Sequence, residues 1–312
     1  MNRYVCVAIV AVASLAAVCH AGVPPEKSLP CFPGAYYRKA VSSQDTWSGI
    51  EGVITLPQFT PDKNRTNPDT GRPLDNPSIY MGGKAKDQEI DAGVSWEVIK
   101  EADGNVSKVG KAFRPFWRNK DWHSGPANPD FYYYPGDQVR IRIETLETNK
   151  LHMSIELLSR GEAGKQATTP APDLMTTETA STSGTKKIIA TASLPAPGAP
   201  KAHGKDFSAT APDAVTSLSV TFDAPNFGPD QIQEFKRVNA IDQSGNEGKP
   251  AQPTAARATD ATWTDVYLLR GRMRVPMSAN RFTDMRCPGP KNFTVFQFND
   301  SAERITIRGT AK

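Results

Sequence analysis

The sequence predicts an all-β protein, an antiparallel sandwich of two sheets with one long inserted loop. Three observations carry this expectation. Apolar and polar residues alternate with a period of two through most of the chain, the spacing that sends every second side chain to one face of a strand. Prolines (26) and glycines (23) recur between those runs and cut them into short segments. A 3.6-residue apolar stripe is missing almost everywhere; Pro229 to Phe235 is the one stretch expected to make a helical turn. A hydrophobic fraction of 38% also argues against a helical bundle or a long coiled coil.

The elements follow in order. Arg3, the apolar run Val5 to Val18 and Cys19-His20-Ala21 before Gly22 read as a secretory signal over residues 1–21. No later run is long enough to be a transmembrane helix. The rest, residues 22–312, is expected to fold as one sandwich domain outside the cell, or in the periplasm of a bacterium. Val94 to Ile99 and Val106 to Phe113 flank Asp103-Gly104-Asn105 and predict a hairpin. A second is predicted where Val139, Ile141 and Ile143, then Leu151, Met153, Ile155 and Leu157, sit on either side of Glu147 to Lys150. Its polar face carries Arg140, Arg142, Glu144, His152 and Glu156, either a solvated outer face or the floor of a curved sheet. Leu218-Val220-Phe222, Val266-Leu268, Met273-Val275, Phe293-Val295 and Ile305-Ile307 supply further strands.

Residues 161–205 break the pattern. They are rich in Ala, Thr, Pro and Ser, with no aromatic between Tyr134 and Phe207. Such a segment buries too little apolar surface to order itself, so a flexible insertion is expected, with Lys187 to Ala190 as a short strand inside it.

Of the 4 cysteines, Cys6 and Cys19 leave with the signal. In an oxidising compartment Cys31 and Cys287 are expected to pair, closing a loop worth about 4–5 kcal/mol in the chain-entropy model. No spacing of Cys and His suits a metal, and no cofactor motif occurs. The formal charge of +4 is too dispersed for nucleic acid. Asn64, Asn105, Asn292 and Asn299 begin glycosylation sequons.

Two segments could carry chemistry. From Phe113 to Tyr134 aromatic rings are interleaved with Arg114, Arg118, Lys120 and His123. Flat rings beside hydrogen-bonding groups suit sugar recognition, which nominates Trp96, Trp117, Trp122, Arg114, His123 and Tyr133 as ligand contacts; core packing is the alternative. The second segment is acidic. Asp87, Glu89 and Asp91 share one face of a strand, with Glu97 a few residues on, and paired carboxylates can split their proton affinities to act as base and acid.

Glu89-Ile90-Asp91 resembles the start of the Glu-hydrophobic-Asp-x-x-Glu signature of laminarinase-type glycoside hydrolases, but Gly93 and Val94 stand where the second Glu belongs. A broader likeness covers residues 46–158. Thr46-Trp47-Ser48-Gly49, Tyr80-Met81-Gly82 followed by Asp91-Ala92-Gly93, and Pro135-Gly136-Asp137 before a strand resemble the motifs of the eqolisins, the glutamic peptidases. The resemblance implies a concanavalin-like sandwich with a site on a concave sheet. It also implies that the catalytic residues are not retained: Asp91 takes the place of the catalytic Gln, and the segment Phe235 to Gln243 lacks the Glu. Two functions follow as expectations. One is a secreted, non-enzymatic protein binding a glycan, a cell-wall polymer or a surface partner. The other is an acid-active hydrolase using Asp91 with Glu89, Glu97 or Asp242.

Overall fold

Alternation at period two becomes two facing sheets in the computed structural model, which describes residues 30–101, 103–168, 189–193 and 217–310. The proposed signal and most of the 161–205 segment lie outside the described residues. In chain order the first strands are β1 (Ala35–Ser42), β2 (Gly49–Thr55), β3 (Gln58–Thr60), β4 (Asp75–Ala85), β5 (Gln88–Lys100), β6 (Val106–Arg118), β7 (Trp122–Ser124), β8 (Gln138–Glu147) and β9 (Lys150–Ser159). After helix α1 (Glu162–Thr168) come β10 (Ile189–Ser193), β11 (Ser217–Asp223), β12 (Glu234–Gln243), β13 (Arg257–Arg270), β14 (Met273–Pro276), β15 (Arg281–Cys287), β16 (Phe293–Asn299) and β17 (Ala302–Arg308).

A seven-stranded sheet runs β15-β1-β12-β4-β5-β6-β7. A larger one runs β10-β11-β9-β8-β2-β13-β17-β16, with β3 and β14 also paired to β13. Both predicted hairpins form, β5 with β6 and β8 with β9. Asn149 takes φ 62° in the second turn, a left-handed conformation that asparagine tolerates better than most residues.

The sheets meet over one apolar cluster. Ile79, Met81, Ile90, Val94 and Phe113 of the smaller sheet pack toward Ile54, Ile141, Met153, Trp263 and Leu268 of the larger. Fully burying a side chain such as Ile141 or Leu268 is worth about 1.5–3 kcal/mol, so this seam supplies the main cohesion between layers. Toward β15 and β17 the interior turns ionic. Arg38 pairs with Asp284 at 2.8 Å and with Glu303, and Arg237 also pairs with Glu303. Arg237 therefore faces the interior while Asp242 faces the other way, because odd and even positions of β12 point to opposite faces.

Several expectations need correction. Pro229 to Phe235 makes no helical turn. Pro229 and Asp230 form a turn, Ile232 is exposed, and the strand begins at Glu234. Buried Gln233 holds this corner by donating to the Trp47 and Gly228 carbonyls. The segment 161–205 does not begin as a loop. Helix α1 lays Ala163 and Ala167 against Tyr132 and Tyr134. Buried Asp137 fixes its start, accepting from Gly161 N at 2.8 Å and from Arg160 Nη1 at 2.8 Å. A strand does occur near the one expected, at Ile189–Ser193, with Lys187 and Ile188 outside the described residues. Asn292 is buried and donates Nδ2 to the Arg308 carbonyl and to Thr310 Oγ1, both at 3.0 Å, so its sequon is closed to a glycan; Asn64, Asn105 and Asn299 are exposed.

Cys31 and Cys287 are joined, with Cα atoms 5.7 Å apart. The bond ties the segment before β1 to the end of β15, at the margin of the seven-stranded sheet.

Candidate functional site

The face of the seven-stranded sheet turned away from the core bears an open groove of about 1210 Å³. Strand register decides its floor. One row across the strands reads Lys39, Val238, Tyr80, Gly93 and Phe116, and the next reads Val41, Lys236, Gly82, Asp91 and Arg118. A Cβ on Gly93 would fall 2.6 Å from the Tyr80 Cβ, so glycine there lets Tyr80 and Phe116 meet edge to face with centroids 5.7 Å apart. At Gly82 a Cβ would lie 2.9 Å from Lys236 Cε, so glycine opens the path by which Lys236 crosses β4 to reach β5.

Lys236 is the electrostatic centre of the floor. Its Nζ donates to Glu89 and stands 2.6 Å from Asp91 Oδ1, without the alignment of a hydrogen bond. Arg118 Nη2 donates to Asp91 Oδ2 at 2.6 Å, and Lys39 reaches Glu89 at 3.4 Å. Burial works to raise the Glu89 carboxyl, but Lys236 and then Lys39 outweigh it and bring its pKa to about 2. Burial, and after it the charge of Lys236, holds Lys39 below the ordinary lysine range, with Glu89 and Asp91 opposing.

Asp242 is the contrast. Its direct partner is the Ser78 hydroxyl, which donates to Oδ2. Burial raises its pKa to about 6; the Ser78 hydrogen bond opposes this, the charges of Asp91 and Glu247 add to it, and Arg118 offsets part. Tyr80 stands near both acids, and burial with the charges of Asp91 and Asp242 pushes its phenol well up.

All four carboxylates singled out from the sequence, Glu89, Asp91, Glu97 and Asp242, line this groove. The aromatic candidates divide. Trp122 lines the groove at 52% exposure, its ring stacked on Phe116 with centroids 4.2 Å apart. Trp96 lines it in part while packing edge-on against Phe113 and Phe59. Tyr133 and Trp117 are buried in the core and offer no face to a ligand, because β6 sends Trp117 to the opposite side from Phe116. His123 stacks on Trp117 rather than entering the groove. Arg114 is a strut, donating Nε and Nη2 to the Gly125 carbonyl and Nη1 to Glu97.

The polar face of the β8–β9 hairpin is not the groove floor. Arg140, Arg142, Glu144, His152 and Glu156 lie on the outer face of the other sheet, with Arg142 bridging Glu51 and Glu144. Residues missed from the sequence are Tyr37, Lys39, Ser78, Tyr80, Lys236 and Glu247. Lys236 and Asp242 share parity on one strand, and that parity was the available signal. Among the described residues no group of three or more His, Cys, Asp or Glu is placed to hold a metal ion, and no helix is long and apolar enough to cross a membrane.

These features define the class: a β-sandwich with a charged, aromatic-lined groove on its smaller sheet. No family model matches the chain, and no curated protein matches it. Among solved structures it is similar to scytalido-glutamic peptidase bound to a peptide-based transition-state analog, at a TM-score of 0.44 and 8% identity over 88% of this chain and 98% of that one. A second structure of that peptidase with a transition-state analog inhibitor gives 0.44 and 7%, over 86% and 97%. SCP-B, a member of the eqolisin family of peptidases in complex with the tripeptide Ala-Ile-His, gives 0.44 and 8%, over 87% and 97%.

Proposed function

We propose that this is a secreted, non-enzymatic protein that binds a glycan or cell-wall polymer along the groove of its seven-stranded sheet. The observation that carries this reading is the Trp122–Phe116 stack, a half-exposed flat ring inside an open groove rimmed with polar groups. Rings of this kind cover the apolar faces of pyranoses while neighbouring polar side chains read hydroxyls. Against catalysis by Glu89 and Asp91, both are neutralised by Lys236, Lys39 and Arg118, and a carboxylate so paired is a poor general base. Isothermal titration against soluble β-glucan, chitin and peptidoglycan fragments tests the proposal. Binding to at least one, weakened in Trp122→Ala, is the expected result; no binding to any of them would reject it.

One observation favours a second reading. Asp242, with its pKa near 6, is the groove carboxyl suited to passing a proton in mild acid. An acid-active hydrolase centred on Asp242 predicts cleavage of denatured protein or β-glucan that Asp242→Asn abolishes. Absence of cleavage from about pH 2 to 6, the range in which carboxyls titrate, would remove that reading.

A further inference from the structure

We infer that the polymer bound in this groove is cationic, an amino-sugar chain with one ammonium group seated at Asp242 beside Tyr80. The inference deepens the polymer-binding reading above and rests on it.

The first observation is an imbalance of charge along the groove. Lys236 is engaged by Glu89 and Asp91, Lys39 by Glu89, and Arg118 by Asp91. Asp242 and Glu247, which also line the groove, make no ion pair among the described residues. Asp242 meets only the Ser78 hydroxyl, and exposed Glu247 accepts from Gly245 N at 3.1 Å. Arg72 on the rim pairs with neither. This part of the wall therefore presents two carboxylates that no cation of the described residues contacts directly.

The second observation is independent of charge. Tyr80 is nine-tenths buried in the groove floor, and its hydroxyl has no hydrogen-bond partner among the described residues. The hydroxyl opens into the groove rather than being sealed in the core, so it is available to a ligand.

The third is the aromatic geometry. Besides Trp122 on Phe116, a second stacked pair lines the groove: Phe32 and Tyr37, with centroids 4.1 Å apart and planes 16° apart. Trp122 and Phe32 are both exposed. Two flat platforms suit the faces of pyranose rings. The Tyr80 ring near the Asp242 carboxylate suits an ammonium, which is drawn to the ring quadrupole and to the charge together. A chain of glucosamine-type units supplies both; a neutral glycan leaves the carboxylates unmatched, and a lysine peptide leaves the platforms unmatched.

Titration of the full-length protein with three hexamers tests this: N-trimethylated glucosamine, whose charge does not change with pH, neutral N-acetylglucosamine, and lysine. At pH 7 the cationic sugar should bind about tenfold more tightly than the neutral one, the range of a desolvated quaternary ammonium held against an aromatic ring beside a carboxylate. Asp242→Asn should remove that preference, and Glu247→Gln, an exposed change that leaves the sheet intact, should reduce it. Equal affinity for the two sugars would overturn the inference while leaving the polymer-binding reading in place. Lysine hexamer binding as tightly as the cationic sugar would overturn it in favour of a peptide ligand. Failure of both sugars and of neutral glycans would overturn both.

Discussion

Lys236 and Asp91 come within 2.6 Å of each other although their strands, β12 and β5, are not neighbours. Strand β4 lies between them, and the ammonium passes over it at Gly82. Both side chains are nearly sealed from solvent, at 5% and 6% exposure. Removing one partner of such a pair leaves a buried charge uncompensated. Lys236→Met should therefore destabilise the fold by roughly 2–4 kcal/mol, Arg118 retaining part of the pairing. Asp91→Asn in the same background should recover much of the loss. Urea denaturation of the two variants checks both statements.

Trp122 and Tyr133 separate binding from folding. Trp122→Ala removes an exposed ring and should leave stability within about 0.5 kcal/mol while weakening polymer affinity. Tyr133→Phe removes a buried hydroxyl that has no hydrogen-bond partner, so it should keep or raise stability and leave affinity unchanged. Paired thermal melts and titrations on the two variants decide this.

Asp242 predicts a pH dependence. Its pKa is about 6 in the folded chain and 3.8 in the reference state, so the folded protein holds its proton more tightly. Stability then falls as pH rises from about 4 to 6, and the burden of the charged form is fully present above pH 6. The charged groups acting on it are Asp91, Arg118 and Glu247, with Ser78 as its hydrogen-bond donor. Asp242→Asn should stabilise the protein on the order of 1–2 kcal/mol at pH 7.5 and little at pH 4. Glu89 runs the other way. Its depressed pKa contributes stability above its ordinary range that is lost as pH falls through about 2, so Glu89→Gln should narrow the acid tolerance of the fold.

The disulfide gives a prediction about the groove as well as the fold. Residue Phe32 follows Cys31 and stacks on Tyr37, whose hydroxyl accepts from Phe32 N at 3.0 Å. Replacing both cysteines by serine should cost about 2–5 kcal/mol and release this stack. Reduced and oxidised protein compared by near-ultraviolet circular dichroism should differ in the tyrosine band.

Much of the fold was legible because alternation is a local property. Val139, Ile141 and Ile143 announce a half-buried strand without reference to any partner. Two groove acids were legible for the same reason, since Glu89 and Asp91 share parity. Composition could not sort the aromatics. Phe116 and Trp117 are adjacent in sequence and fall on opposite faces, so a cluster that looks like one platform is divided between groove and core. Lys236 was hidden for a different reason: its role comes from register across three strands, which no single segment encodes. The glycines of Tyr80-Met81-Gly82 and Asp91-Ala92-Gly93 now have a physical meaning, as gaps that let side chains from neighbouring strands converge. Helix α1 was missed because its contacts are two alanines, too small to mark an apolar stripe.

That small contact sets an order of events. Asp137 accepts at once from Tyr134 N, Gly161 N and Arg160, joining the approach to β8, the end of β9 and the first turn of α1 at a single carboxylate. Beyond this latch α1 depends on Ala163 and Ala167 alone for its apolar anchorage among the described residues. Amide exchange should accordingly be fastest there within the described helices and strands, and loss of the Asp137 carboxylate should let the helix open as a unit while the amides of β4, β5 and β12 stay protected. The protein would breathe at its flank while the groove keeps its shape.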